Sequence, residues 1–562
     1  MNIVLIALDT QRADHLGCYG YEKDTSPFID SIAKQGVVFE RCYAPNIPTH
    51  PSFTTMLTGK EAITHNIVNI GGGVPLEPDV RMIQEILQEA GWRTAAVDTM
   101  GRHFSRGFDE YISPSWDRSD PLTLRRAEHI TEPALQLIEQ LKTSERPFFL
   151  FLHYWDPHTP YLPPADFRTM FYPSHKDPYD PNNHSMDPAW NDEMFKWYFH
   201  DWMPGVTDSE YVNALYDAET AYMDWQLRRV FAALRPIQEE TLVIITADHG
   251  EILDEQLGFY DHHGLYEGDV HVPLIMYWPG TFPGGKRVPG FVQNTDFVPT
   301  LLELTGITDK DNTEGKSLLP CIKGRRSGNY NEVYLSEATW EVKRGLINDR
   351  WKFIQSFEQD PHGRPMQELF DLQADPTEQN NLAALQPKVV QQLKTKLDKW
   401  VARRLQETGR KVDPVSEQGR CGTRIGTPIE GETPGAGATP LHLRAHKQAA
   451  NIPDPKELNA SATPVAKVKS KDKKVSARPQ RAKAEKTTAS QNGERNGAQG
   501  KASEALSNVA VDKNTGTKLH GYVEGKNGNK TKGAAKAASA RGSGAKQAAS
   551  AAKGGNKAKG RK

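Results

Sequence analysis

Thr241-Leu242-Val243-Ile244-Ile245-Thr246-Ala247-Asp248-His249-Gly250 is an unbroken apolar, largely β-branched run that halts at an acid, an imidazole and a glycine. Its length and its lack of polar alternation predict a strand buried on both faces. Asn2–Leu8, followed by Asp9, repeats the pattern. So do residues 94–97 before Asp98-Thr99, residues 147–152 before His153, Asp156 and His158, and residues 272–277. Residues 79–90, 131–141 and 210–234 carry helical periodicity between these runs. The alternation predicts an α/β fold, with a large mixed, mostly parallel sheet flanked by helices. Ligands of such sheets bind beyond the carboxyl ends of the strands, where the Asp and His residues that follow these runs fall.

From about residue 318 the rhythm changes. Residues 332–336, 344–347 and 351–355 read as short antiparallel strands, and 387–404 as one amphipathic helix. A main domain over 1–315 and a small C-terminal α+β subdomain over 316–405 follow. The chain has 562 residues and a net charge of −2, unevenly spread: about −20 over 1–410 and about +18 over 411–562. All 11 Trp precede residue 411. Residues 411–562, rich in Lys, Ala and Gly, lack the apolar side chains that offset ordering entropy, and are expected to be a disordered basic tail. Its charge suits a polyanion, but without aromatics or a motif a solvated appendage is the simpler expectation.

The four cysteines show no paired spacing, which argues against a disulfide framework or a zinc ribbon. The apolar N-terminus has no basic flank or cleavage site and leads straight into Asp9, as a strand would. No run approaches the roughly 18 apolar residues of a membrane span. A cytoplasmic location is the resulting expectation. The Pro-, Trp- and Tyr-rich segment 163–204 is long for a loop and reads either as a lid or as a packed insertion.

Asp248 and His249 place an oxygen and a nitrogen donor at one strand end, and Asp9 adds a second carboxylate. Borderline divalent ions such as Zn²⁺ and Mn²⁺ accept that mixture. A further segment, Ala44-Pro45-Asn46-Ile47-Pro48-Thr49-His50-Pro51-Ser52-Phe53-Thr54-Thr55-Met56-Leu57-Thr58-Gly59, resembles the nucleophile segment of the sulfatase family, C/S-x-P-x-R before a helix ending Leu-Thr-Gly. Gly17-Cys18-Tyr19-Gly20, Pro157-His158-Thr159-Pro160-Tyr161, Asp296–Leu302, Leu369–Leu372 and Asp375–Glu378 are similar to further motifs of that family, in the same order. The resemblance covers about residues 1–405 and implies the fold of the alkaline phosphatase superfamily.

The departures define the expected chemistry. The cysteine or serine that the family converts to formylglycine is Thr49, and the arginine is Phe53. Gly-Lys-x-His is replaced by Asp98-Thr99-Met100-Gly101, the Asp-Asp pair by Asp9-Thr10, and the lysine before Tyr266-Glu267 by His262 or His263. The resemblance implies one divalent metal (Mn²⁺, Zn²⁺ or Ca²⁺) on Asp9, Thr49, Asp248 and His249. It also implies Thr49 as nucleophile, His158 with His262 or His263 as acid–base or oxyanion groups, and Asn69, Thr99 and Arg12 as contacts for a small anionic ester. Arg12 could equally anchor its loop.

Formylglycine releases sulfate by breaking its own carbon–oxygen bond, which threonine cannot do. A threonine ester must instead be attacked at its central atom, as a phosphothreonine can be. Phosphate mono- or diesters are therefore the expected substrates, with diesters favoured by the missing cations. A sulfuric ester hydrolase without formylglycine, a phosphotransferase and an inactive binding protein are the alternatives.

Overall fold

Apolar runs with no polar alternation need cover on both faces, and the sheet they form has it. The structure, a computed structural model, describes residues 1–70, 74–114, 126–192, 196–309 and 313–420. The strands in chain order are β1 (Asn2–Leu8), β2 (Val37–Tyr43), β3 (Asn46–Ile47), β4 (Arg93–Val97), β5 (Glu110–Ile112), β6 (Phe148–Tyr154), β7 (Thr241–Ala247), β8 (His271–Val272) and β9 (Leu274–Tyr277). They continue with β10 (Lys286–Gln293), β11 (Glu332–Glu337), β12 (Lys343–Asn348), β13 (Trp351–Ser356) and β14 (Gln367–Asp371). The large sheet runs β10-β2-β9-β7-β1-β6-β4-β5, with β8 on β2. β7, β1, β6, β4 and β5 are parallel neighbours, β10 is parallel to β2, and β9 joins the two groups antiparallel to both.

Successive strand residues face opposite sides. Ile3, Leu5, Ala7, Phe149, Phe151, Leu242 and Ile244 enter one apolar core with Phe53, Met56, Leu57, Ile83 and Leu301 from helices. Val4, Ile6, Leu8, Leu150, Leu152, Val243 and Ile245 enter the other, under the helices Pro27–Ala33, Glu128–Leu141 and Ser209–Leu234. Five expected strands and three expected helices are present; β2, β5 and β10 of this sheet were not anticipated.

The second sheet, β14-β13-β12-β11, is antiparallel and packs under the helix Pro387–Thr408 through Leu346, Phe353, Leu369, Leu393 and Leu397. Its far edge is β3, pairing in parallel with β11 through Ser336↔Asn46 and Glu337↔Ile47. The C-terminal sheet thus includes a strand that ends two residues before Thr49. Segment 163–204 contains two short helices, and Trp190 and Trp202 pack with Tyr161, Met186, Phe199 and Tyr216; Trp190 also donates to the Val206 carbonyl. Both residues serve packing, and the Trp197 side chain lies outside the described residues. Among the described residues, no helix is long and apolar enough to cross a membrane.

Ordered chain extends past residue 411, where the composition alone started the tail. Residues 414–418 form a helix capped by Asp413. Both Asp413 carboxylate oxygens accept from buried Arg344 at 2.6 Å. A lone acid contributes this anchor, too small a signal for composition to register. The remainder of the expected tail, 421–562, lies outside the described residues.

Arg344 is 1% exposed, so removing its partner leaves a buried charge uncompensated. Asp413→Ala is expected to lower unfolding stability by about 3–5 kcal/mol, measured by urea denaturation. A loss below about 1 kcal/mol would mean that the pair behaves as a surface ion pair.

Candidate active site

Strand register assembles the site. β1 pairs with β7 at Leu8↔Ala247 and with β6 at Leu8↔Tyr154, so Asp9 and Asp248, each the next residue, emerge side by side. Asp9, Asp248 and His249 are fully buried, and one ligand atom from each lies within 4.8 Å of the others. Asp9 Oδ1 and Asp248 Oδ2 accept no hydrogen bond. Burial, with Asp9 alongside, pushes the Asp248 carboxyl well above the usual range. Two buried carboxylate oxygens without donors, facing an imidazole nitrogen, are a set of donors that could hold a divalent cation.

His249 has its ring fixed. Nδ1–H donates to the Gly250 carbonyl at 2.8 Å, which leaves the Nε2 lone pair facing Thr49 Oγ1 at 3.1 Å, Asp248 Oδ2 at 3.2 Å and Asp9 Oδ1 at 3.9 Å. Burial keeps the imidazole neutral, its pKa pushed down to about 3. Neutral nitrogen with its other side held by a carbonyl is the form that ligates metal.

Thr49 opens the helix Thr49–Thr58 and is 5% exposed. This helix is tied to Asp248 at its first turn. Ser52 Oγ donates to the Asp248 carbonyl at 2.5 Å, and Asn294 Nδ2 donates to Ser52 Oγ at 3.2 Å. Thr10, where the family pattern has a second aspartate, holds φ 55°, a strained value for a β-branched residue. Its N–H reaches Asp248 Oδ1 at 3.3 Å, while Tyr216 Oη donates to its carbonyl at 2.8 Å.

Sequence reasoning placed His153 at the strand ends with the other candidates but gave it no role. The structure wedges it between two carboxylates, Nε2 to Asp9 Oδ2 at 3.1 Å and Nδ1 to Asp98 Oδ1 at 2.7 Å. Burial opposes its charge, but those hydrogen bonds prevail and raise its pKa to about 10. Phe53, in the arginine position, meets the His153 ring edge-on at 4.6 Å. A cation therefore sits beside the place of the missing arginine, supplied by a different strand. Its signal was present: a histidine at the end of β6, two register positions from Asp9 and so on the same face of the sheet.

His158 and His262 are both in the site. The His262 ring centroid lies 4.6 Å from His249 and 4.9 Å from His158. Asp261 and Glu251 outweigh burial and raise His262 to about 10. His158 turns Nδ1 to the Thr159 carbonyl at 2.7 Å. His263, the other half of the pair, points away and meets His362 Nε2 to Nε2 at 2.9 Å, because adjacent residues in an extended loop project to opposite sides. Arg12 is also directed elsewhere, to Asp14, Glu255 and the Glu251 carbonyl, so it anchors its loop. Asn69 and Thr99 are 2% and 8% exposed; among the described residues neither hydrogen-bonds Thr49, and Asn69 Nδ2 is a buried donor with no acceptor. His65 and His103 bond Thr55 and Thr54 of the helix Thr49–Thr58.

The family profile "Sulfatase" matches residues 1–307. The chain belongs to the sulfatase family. A second profile, "N-sulphoglucosamine sulphohydrolase, C-terminal", matches residues 255–405. The sulfatase relatives include N-acetylglucosamine-6-O-sulfatase of Bacteroides thetaiotaomicron, 24% identical over 68% of this chain and 82% of that one. Human iduronate 2-sulfatase is 26% identical over 58% of this chain and 68% of its own length. Among solved structures, phosphonate monoester hydrolase of Agrobacterium radiobacter superposes with a TM-score of 0.58 at 22% identity, over 72% of this chain and 96% of that one. This sulfatase-family chain is therefore an ester-bond hydrolase of α/β fold.

His153 carries a raised pKa, so its protonation stabilises the fold fully below the unfolded value near 6.5 and less as pH rises toward about 10. In chelator-treated protein, His153 imidazole resonances should not titrate between pH 6 and 8. A midpoint near 6.5 would remove the bridging cation from this account.

Proposed function

We propose that the protein hydrolyses phosphate mono- or diesters through Thr49, with one divalent metal held by Asp9, Asp248, His249 and the Thr49 oxygen. The observation that carries the reading is Thr49 Oγ1 lying 3.1 Å from His249 Nε2, at the rim of two buried carboxylate oxygens that accept no hydrogen bond. A bound divalent cation supplies Lewis acidity, favouring the Thr49 alkoxide and polarising an ester oxygen. Mn²⁺ or Zn²⁺ suits the nitrogen in the set better than Ca²⁺ does.

The residues of the chain then act as follows. Thr49 is presented at a helix N-terminus, a setting that favours the anionic ester. Its Oγ1 attacks phosphorus, forming a threonine–phosphorus ester as the bond to the leaving oxygen breaks. His158 gives that oxygen a proton. The His262 imidazolium, on the same side as His249, balances charge on a nonbridging oxygen. Water then attacks phosphorus, the bond to Thr49 breaks, and Thr49 recovers its proton. Asn69 and Thr99 are proposed substrate donors.

Charge supports esters of low charge. The His153 cation is offset by Asp9 and Asp98, and that of His262 by Asp261 and Glu251. A diester presents one negative charge to this balance and a monoester presents two. The curated relatives named above are sulfatases, so sulfate is the reading that an assay must separate from phosphate. A cytoplasmic location remains part of this proposal, with the basic tail read as a solvated appendage whose charge also suits a polyanion.

Thr49→Ala is expected to reduce aryl phosphodiester turnover by at least about a thousandfold, with Thr49→Ser retaining part of it. Wild-type turnover of the matched aryl sulfate should be slower. Faster sulfate turnover, or unaltered turnover in Thr49→Ala, would overturn the proposal.

A further inference from the structure

The site just described leaves His263 unused, and its surroundings form a second donor cluster. His263, Glu341 and His362 each bring one ligand atom within 4.8 Å of the others. His263 follows β7, Glu341 lies in the turn between β11 and β12, and His362 lies in the loop between β13 and β14. Their side chains are at most 2% exposed.

Ring orientation is the informative feature. His362 Nδ1 lies 2.9 Å from Asp192 Oδ2, in segment 163–204. An N–H toward that carboxylate leaves the lone pair of His362 on Nε2. His263 Nδ1 faces Asp261 Oδ1 at 3.9 Å. That carboxylate lies beyond hydrogen-bond reach, on the side of the ring opposite Nε2. The two Nε2 atoms face each other at 2.9 Å, a contact that a shared proton or a cation bound to both nitrogens would make attractive. Carboxylates behind both imidazoles are the arrangement that orients histidine ligands. With Zn–N bonds of about 2.0–2.1 Å, that separation corresponds to an N–Zn–N angle of roughly 90°.

The field permits a cation. Lys343 and Arg364 pair with Glu341, but five carboxylates (Glu341, Asp360, Glu368, Asp261 and Asp192) surround these two bases and the histidines. Burial, with His362 and Arg364 beside it, holds His263 neutral, its pKa pushed down to about 3.

We infer that His263 Nε2, His362 Nε2 and a Glu341 carboxylate oxygen form a second metal site, for Zn²⁺ or a similar borderline divalent ion. The ion joins the loop after β7 to two loops of the C-terminal sheet, with Asp192 bringing in segment 163–204. It stands apart from Thr49 chemistry, and its ligands belong to none of the proposed catalytic steps.

Metal counting on the full chain tests this. Protein stripped with chelator, loaded with Zn²⁺ and desalted should hold two equivalents. Asp248→Asn should hold one, His362→Gln one, and the double variant none. Asp192→Asn keeps all three ligands and should bind the second equivalent roughly 10- to 100-fold more weakly, so the test stands even if His362→Gln folds poorly. Two equivalents retained by folded His362→Gln, or none in Asp248→Asn, would overturn the inference and leave a hydrogen-bonded histidine pair.

Discussion

Asp9 and Asp248 emerge from adjacent parallel strands into a place where two of their oxygens meet no donor. Like charges at that separation, cut off from water, cannot both remain ionised without a compensating cation. Much of the surrounding structure answers this constraint. His153 neutralises one side of Asp9. The Thr10 N–H, held by a strained backbone, reaches one oxygen of Asp248. His249 is turned so that its lone pair, rather than its N–H, faces the gap. These contacts offset part of the negative charge that the two carboxylates bring together.

The same constraint explains why the small C-terminal sheet is more than an appendage. β3 is its edge strand and leads directly into the helix that Thr49 opens. Glu337, paired in register with Ile47, also accepts from the Gly264 N–H in the loop that carries His262 and His263. The positions of Thr49 and of the histidine loop are thus set against one another through β11. Sequence spacing separates these segments by about 200 residues, and the pairing removes that distance.

How much was legible follows from where each signal resides. Strands buried on both faces, such as Asn2–Leu8 and Thr241–Ala247, announce themselves by composition, and their terminal acids could be placed at once. β2 and β10 did not, because Glu40-Arg41 and Pro289-Gly290 interrupt their apolar pattern; their pairing depends on tertiary neighbours. In the site, Asp9, Thr49, Asp248 and His249 were legible because each ends a strand or opens a helix in a recognisable pattern. His153 was not, since its role depends on β6 lying between β1 and β4, a matter of strand order. His262 and His263 could not be told apart in sequence, as only the course of the loop decides which ring turns inward.

Phe53 shows how these departures support one another. An arginine there would bring a cation close to His153, which is already protonated by Asp9 and Asp98. Phe53 instead packs on Phe104, Phe151 and the His153 ring, leaving the imidazolium as the local positive charge. An imidazolium bound between two carboxylates is a weaker anion receptor than a free guanidinium, since its N–H groups are already committed. On the proposed function, a site changed in this way holds a doubly charged group less tightly than one with a free guanidinium. On that same reading it keeps a hydroxyl beside a carboxylate pair suited to a cation, with His262 next to His249 and His158 next to His262.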